Sequence, residues 1–177
     1  MGTDKAWLEI EGRPLVVWQA QRLAAVFEDV RVSAKDGRPF AAAGLAVIED
    51  GEGEHAAVRG IRAALAEVRR PVFVLAVDLP RFPAALGGAI ASALLSSGAA
   101  CAAPVAGGFV HGLCAAYAPE ALPVAESLIA RGRFAVRDLV TECRGTLLDE
   151  TFWGRFAGPE AFSNWNRPED HETVAPR

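Results

Sequence analysis

Residues 71–80 of the chain read PVFVLAVDLP, in which six consecutive apolar residues are followed by an aspartate. A nearly continuous apolar run of this length is typical of a parallel strand that helices cover on both faces. We therefore predict a central, buried strand from Val72 to Val77. Asp78 lies where this strand ends, and Pro80 cannot continue it.

The sequence around this strand alternates short β-branched runs with longer segments of helical spacing. Such alternation is typical of βα units around a mostly parallel sheet. We expect an α/β protein of three layers, a mostly parallel sheet with helices on both faces. The predicted helices are 14–27, 58–68, 83–95, 119–130 and 134–141, and the other predicted strands are 30–34, 45–48, 100–105, 112–117 and 146–149, with a turn at Gly107 and Gly108.

Length, charge and cysteine content restrict the class of protein. The 177 residues, 51% of them hydrophobic, suit a single domain, which we place at residues 1–172 with a frayed tail at 173–177. The net charge of -4 argues against nonspecific binding to nucleic acid or to anionic lipid. Three cysteines without metal or redox spacing indicate a reducing compartment. Because neither a secretory signal nor an apolar run of about 18 residues is visible, we expect a cytoplasmic protein with no membrane partner.

Asp78 carries the strongest chemical indication. A carboxylate is costly to leave unpaired in a core, so Asp78 must reach a crevice or a cation. In open α/β sheets ligands bind outside the carboxyl ends of the strands, where a carboxylate suits Mg²⁺ beside phosphates. The alternative is a helix N-cap for the following segment. Asp50 also follows an apolar run, and either a ligand role or a solvated acidic turn explains it.

Several later polar residues could contact a ligand. Asn164 and Asn166 point to the same side of an extended segment, although Asn166 is also a natural cap for a helix that starts near Pro168. His111 lies between a glycine turn and a strand, where it could contact substrate or be a partly exposed structural residue. Three arginines near Gly132 could bind an anion or form a solvated face: Arg131, Arg133 and Arg137.

A series of segments follows one known order and spacing over almost the whole chain. The early ones are Asp4-Lys5-Ala6, Gly12-Arg13-Pro14-Leu15, Val32-Ser33-Ala34-Lys35 and Ile48-Glu49-Asp50. Val77-Asp78-Leu79-Pro80 resembles a metal-binding Cys-Asp-Met-Pro segment, residues 133–139 a Glu-Arg-Arg-x-Arg-Asp-Leu stretch, and residues 162–170 a Phe-x-Asn-x-Asn-Thr-Pro-Glu-Asp ending. The family that these segments resemble is the bacterial molybdenum cofactor guanylyltransferases, a MobA-like group of nucleotidyltransferases.

The resemblance implies a Rossmann-like nucleotidyltransferase fold and an enzyme that transfers GMP from GTP to the phosphate of molybdopterin, with Mg²⁺. By the same resemblance Asp78 and Lys5 are the catalytic residues: Asp78 would hold the metal and Lys5 would neutralise phosphate. Ser33 and Asp50 would join them in binding the nucleotide. The pterin side would be formed by Asn164, Asn166 and His111.

Members of this family open with a strand and a glycine-rich phosphate loop, and the resemblance begins after both. We therefore expect a sheet without that first strand. Two alternatives remain open, a noncatalytic MobA-like binding protein and a cytidylyltransferase acting on the same cofactor. The expected partners are the small-molecule substrates GTP and molybdopterin, together with transient contact with molybdoenzyme-maturation proteins.

Overall fold

The computed structural model describes residues 5–51 and 56–165. The tail at 173–177, Asn166 and the helix predicted after it lie outside these residues, and the single domain over residues 1–172 stays a prediction. The strands are β1 Glu9–Ile10, β2 Arg13–Pro14, β3 Arg31–Ala34, β4 Ala46–Glu49, β5 Val72–Leu75, β6 Cys101–Ala106, β7 Phe109–Val110, β8 Cys114–Tyr117 and β9 Thr146–Leu148. The helices are α1 Leu15–Leu23, α2 Arg38–Ala42, α3 Ala57–Val68, α4 Ala84–Ser97, α5 Leu122–Ala130, α6 Val136–Glu142 and α7 Glu150–Trp153.

The strands pair in both directions. β3 and β4 are parallel, and β9 runs parallel to β6. β8 lies between β5 and β6 and is antiparallel to both, which gives the order β5-β8-β6-β9. The reason is the connection: β6 turns through a tight hairpin into β7 and then β8, and a connection this short joins only antiparallel strands. The expected α/β sheet is therefore confirmed, but with one antiparallel strand inserted among parallel ones.

Helices cover both faces of the sheet that contains β5, β8, β6 and β9. Alternate residues of β6 enter different cores: Ala102 and Ala106 pack with α4, whereas Cys101 and Ala103 pack with α3, α5 and α6. β8 alternates in the same way, so the two central strands are buried on both sides. Their side chains are mostly alanine and cysteine, which lets the helices approach closely. This confirms the three-layer prediction.

The strand that precedes Asp78 is shorter and more exposed than predicted. It ends at Leu75 rather than Val77, and all four of its residues are only half-buried. Within the described part of the chain, β5 pairs with β8 on one edge alone, which accounts for the exposure. Val77 and Asp78 form a turn beyond it, so the prediction of a fully buried central strand through Val77 is wrong.

Short elements were missed by the sequence patterns. α2 spans five residues between two predicted strands, where no helix was predicted, and its Pro39 lies in the first helical turn, a position compatible with helix. α7 spans four residues and begins at an Asp149 cap that accepts a hydrogen bond from the Thr151 N–H. The longest described helix, α4, has 14 residues, and none of the described helices is long and apolar enough to cross a membrane.

Candidate nucleotide and metal site

Lys5 and Asp78 form an ion pair beyond the end of β5. Lys5 lies in a 3-10 turn, Lys5–Trp7, and its Nζ is 3.2 Å from Oδ2 of Asp78. The Asp78 side chain is 21% exposed and that of Lys5 is 40% exposed. The carboxylate that follows the apolar run thus meets a cation at a partly open position, as its burial cost requires.

The backbone of Asp78 is tied to the last described segment of the chain. The Trp165 N–H donates to the Asp78 carbonyl at 2.8 Å. The Trp165 side chain is buried against Ile10, Leu15 and Trp18, beside the β1–β2 hairpin. Trp165 thereby fixes the approach of Asn164, the preceding residue, to the Asp78 turn.

A cavity of about 300 Å³ opens next to the Asp78 turn. Three residues from separate parts of the sequence line it together, namely Asp78, His111 and Asn164. The remaining wall comes from the β7–β8 loop and the start of α6, including Gly112, Val136 and Arg137. The structure therefore brings the predicted metal residue and two of the predicted pterin residues to one cavity.

The His111 ring is oriented by two neighbours. Its Nε2 lies 3.3 Å from the carbonyl oxygen of Ala106, and only a protonated Nε2 can donate to that oxygen. In the neutral ring Nδ1 is then the acceptor. The ring also packs on Phe162 with a centroid separation of 4.8 Å. His111 is thus an oriented, half-buried side chain.

Gly112 shapes the cavity wall because a side chain there would collide with its neighbours. A β-carbon at Gly112 would lie 2.6 Å from Val136 Cγ1 and 3.2 Å from the Tyr117 hydroxyl. That buried hydroxyl donates to the Gly112 carbonyl at 2.8 Å. Burial raises the pKa of Tyr117 well above its ordinary value, so the hydroxyl keeps its proton and remains a donor.

Ser33 and Asp50 converge at the first turns of α3. Ser33 lies on β3, and Asp50 follows β4 with its N–H donating to the Ala34 carbonyl at 3.2 Å. A β-carbon at Gly60 would be 2.7 Å from Ser33 Oγ and 4.0 Å from Asp50 Oδ2. The glycine therefore leaves the room that these two polar groups occupy.

Residues next in sequence to the Ser33–Asp50 pair and to the Lys5–Asp78 pair meet in one packed cluster. Ala6 and Ala34 are buried in it, and Val77 packs against it. Each of these apolar residues neighbours a member of one of the two pairs in sequence. Both pairs consequently lie at the same end of the molecule.

The sequence of this chain matches a known protein family. A family model, the MobA-like NTP transferase domain, matches residues 1–145, well over half of the chain. The chain belongs to the MobA-like NTP transferase family. Its similarity to individual members extends further along the sequence than the family model does.

Relatives in this family include molybdenum cofactor guanylyltransferases. One from Cereibacter sphaeroides is 37% identical over 183 residues, covering 96% of this chain and 85% of the relative. A second, from Cereibacter sphaeroides strain ATCC 17029, is 36% identical over the same shares of the two chains. These relatives confirm the family that the sequence segments indicated.

Solved structures agree on the fold. Molybdopterin-guanine dinucleotide biosynthesis protein A from Archaeoglobus fulgidus superposes with a TM-score of 0.80 at 19% identity, covering 97% of this chain and 88% of that one. A protein from Aquifex aeolicus VF5 gives a TM-score of 0.73 at 21% identity, covering 86% and 79%. At these identities the likeness concerns the MobA-like fold alone.

The carboxylates in the described part of the chain do not form a metal cluster by themselves. Across residues 5–51 and 56–165, no three His, Cys, Asp or Glu side chains gather closely enough to hold a metal ion. Mg²⁺ does not require such a group, since it is commonly held by one or two carboxylates with substrate phosphates and water. A single Asp78 carboxylate, partly open and beside a cavity, fits an ion of that kind.

The structure places six of the seven predicted site residues. Lys5 contacts Asp78, Ser33 accompanies Asp50, and His111 shares a cavity with Asn164. Asn166 lies outside the described residues. Trp165 was missed because a tryptophan in a polar segment carries no chemical signal, although its burial and its bond to the Asp78 carbonyl hold the segment that contains Asn164.

Proposed function

We propose that this chain transfers GMP from GTP to the phosphate of molybdopterin, with release of pyrophosphate. The observation that carries the proposal is the Lys5–Asp78 pair beside a cavity that His111 and Asn164 also line. A cation for phosphate, a carboxylate for a metal and a neighbouring pocket for a second substrate are what a nucleotidyl transfer requires. The guanylyltransferase relatives support this choice of substrates.

Lys5 serves as the phosphate cation. An ion pair exposed to this extent contributes about 0–1 kcal/mol to stability, so little free energy opposes its rearrangement when substrate arrives. The ammonium group can then leave the carboxylate for the negative charge that grows on the phosphate oxygens during attack. Stabilising that charge in a site already oriented for it is where most of the catalysis lies.

Asp78 would hold Mg²⁺ together with oxygens of the triphosphate. The ion, when bound, would neutralise phosphate charge and align the α-phosphate with the attacking oxygen. The Asp78 carboxylate is the metal ligand that this chain supplies. The hydrogen bond from the Trp165 N–H to the Asp78 carbonyl keeps the backbone of Asp78 in place. Lys5 and the metal would share the negative charge of the nucleotide between them.

The cavity beside Asp78 would receive the acceptor. Its volume of about 300 Å³ is at the lower end of small-molecule sites, large enough for a fused heterocycle. His111 offers Nδ1 as an acceptor for a ring N–H, and Asn164 offers both donor and acceptor atoms. Asn166, as the resemblance implies, would contribute from the same segment.

Ser33 and Asp50 would contact the nucleoside of GTP. A hydroxyl beside a carboxylate can bond the donors of a guanine edge or of a ribose. Their position at the same end of the molecule as Lys5 and Asp78 supports one continuous nucleotide site.

We also propose that the reaction takes place in the cytoplasm, followed by transient contact with molybdoenzyme-maturation proteins.

Incubation of the protein with molybdopterin cofactor, Mg²⁺ and an equimolar mixture of GTP and CTP tests the proposal. Mass spectrometry identifies the dinucleotide, and a coupled assay follows pyrophosphate. We expect the guanine dinucleotide to dominate, with none formed when Mg²⁺ is chelated. A cytosine product would instead identify a cytidylyltransferase. Binding of cofactor without any product would identify a noncatalytic binding protein.

A further inference from the structure

Helix α1 forms hydrogen bonds to the turn that carries Asp78. Gln19 lies on α1 with its side-chain amide in the interior, and only 6% of its surface is exposed. Its Nε2 amide group donates to the Ala76 carbonyl at 3.2 Å and to the Leu79 carbonyl at 3.3 Å. A single amide thus joins the two ends of the turn formed by residues 76–79, which carries Asp78.

Packing alone does not account for a glutamine at this position. Its buried neighbours on α1 are Leu15, Val16 and Trp18, so the inward face of the helix is otherwise apolar. A leucine would fill that face without burying an amide, which is unfavourable unless the amide finds hydrogen-bond partners. The partners that Gln19 finds are both in the turn. We therefore attribute the glutamine at this position to its hydrogen bonds with the turn and not to packing within the helix.

Neighbouring carbonyls of the turn are also held from outside. The Asp78 carbonyl accepts from the Trp165 N–H at 2.8 Å, and the Pro80 carbonyl accepts from Arg22 Nη1 at 2.7 Å. Arg22 lies on α1 one turn after Gln19, over the Trp18 ring at 4.4 Å from its centroid. The backbone carbonyls on both sides of Asp78 are thus held, while its carboxylate contacts Lys5 and lines the cavity.

We propose that Gln19 is a positioning residue for Asp78, holding the turn so that the carboxylate is oriented for a divalent metal and nucleotide before they bind. The inference rests on the proposed function only in the identity of the ligand. Groups that orient a metal ligand without touching the metal typically change its affinity about 10- to 100-fold when removed. Gln19 acts on the backbone of the ligand residue, so we expect the lower end of that range.

The test compares Gln19→Leu with Gln21→Leu in the full chain. Both changes replace glutamine with leucine on α1, but Gln21 is exposed and its Oε1 accepts from Arg13 instead of binding the turn. Binding of Mn²⁺ in the presence of GTP is followed by the electron paramagnetic resonance of the free ion. Gln19→Leu should weaken Mn²⁺ binding about tenfold, whereas Gln21→Leu should leave it unchanged.

Amide hydrogen exchange supplies a second reading that needs no metal. The Leu79 N–H donates to Ala76 and the Trp165 N–H donates to Asp78, so both report on the turn. In Gln19→Leu these two amides should exchange at least about tenfold faster relative to the core amide of Ala115, which lies on β8, because local opening is set by the bonds that close the turn. If Gln19→Leu fails to fold, Gln19→Asn replaces it, since the shorter amide cannot span both carbonyls.

The outcomes separate the two proposals. Unchanged exchange at Leu79 and Trp165 together with unchanged Mn²⁺ affinity would overturn the role of Gln19 while leaving Asp78 as the metal ligand. Absence of Asp78-dependent Mn²⁺ binding in the wild type would count against the metal part of the proposed function. In that case the exchange rates alone decide whether Gln19 holds the turn. Equal acceleration of every amide would mean general destabilisation and would also overturn the positioning role.

Discussion

The ammonium nitrogen of Lys5 lies 3.2 Å from Oδ2 of Asp78, although the two residues are 73 positions apart in the chain. The contact joins the 3-10 turn before β1 to the turn after β5. Because both side chains remain partly exposed, the pair contributes little to folding and can be opened by a phosphate or a metal. Because Asp78 also lines the cavity, the pair lies where a substrate could reach both side chains.

Replacing Lys5 with methionine should separate its catalytic effect from its effect on stability. Loss of an exposed ion pair should change the free energy of unfolding by less than about 1 kcal/mol. Loss of a charge aimed at the phosphates should lower the rate of GMP transfer roughly 100-fold. Urea titration and the pyrophosphate assay measure the two effects. Arg62→Met, which removes the same charge from the outer face of α3, is the control and should keep full activity.

Gly60→Ala should weaken GTP binding without weakening the fold. Alanine is favoured over glycine inside a helix by about 1 kcal/mol, so the free energy of unfolding should stay constant or rise. The new methyl group would meet Ser33 Oγ at 2.7 Å and force that hydroxyl to rotate away from its present site. Calorimetric titration with GTP measures the affinity.

Combining Gly60→Ala with Ser33→Ala supplies the control for that steric explanation. Removing the hydroxyl removes the collision, so the two changes should be non-additive in GTP affinity. Strictly additive losses would mean that Gly60 acts through some other contact. An unchanged affinity in Gly60→Ala alone would exclude Ser33 from the nucleotide site.

Tyr117→Phe should destabilise the protein and loosen the acceptor side of the cavity. The hydroxyl donates to the buried Gly112 carbonyl at 2.8 Å, and a buried carbonyl left without a donor costs about 1–3 kcal/mol. Gly112 adjoins His111, so the Michaelis constant for molybdopterin should rise more than that for GTP. Chemical denaturation and steady-state kinetics measure the two quantities. A rise confined to the GTP constant would contradict the placement of the acceptor.

Cys143 should be the most reactive of the three cysteines toward iodoacetamide. A hydrogen bond from the Cys101 thiol lowers the pKa of Cys143, whereas the same contact and burial raise the pKa of Cys101. Burial likewise raises the pKa of Cys114. Only Cys143 is partly exposed, so its alkylation should rise as the pH passes a pKa below the ordinary thiol value of 9.0. Peptide mass mapping at neutral pH should find Cys143 modified first, and earlier modification of Cys114 would contradict the structure.

Much of the fold was predictable from periodicity and turn residues. The hairpin at Gly107 and Gly108 is an example, since both glycines have positive φ and only such residues close a two-residue turn of this kind. β5 shows where periodicity fails. Six apolar residues indicated burial on both faces, but burial depends on which strands pair beside a segment, and that is a property of the tertiary structure.

The site was predictable in its residue types more than in its contacts. Asp78 stood out because a carboxylate follows an apolar run, while the role of Lys5 came from the family resemblance. No local pattern could show that Gln19 faces the Asp78 turn, because glutamine is an ordinary helix residue and its partners are more than 50 positions away. Residues that act through backbone bonds to distant segments leave no signal in their own neighbourhood.

Magnesium-dependent binding of GTP through Asp78 is tested most directly by calorimetry on the wild type and Asp78→Asn, each with Mg²⁺ and with a chelator. The asparagine keeps the size of the side chain and an oxygen that can accept from Lys5, so the fold should be unaffected. We predict that Mg²⁺ strengthens GTP binding to the wild type and that Asp78→Asn loses this difference. The same magnesium dependence in Asp78→Asn as in the wild type would remove Asp78 from the metal site.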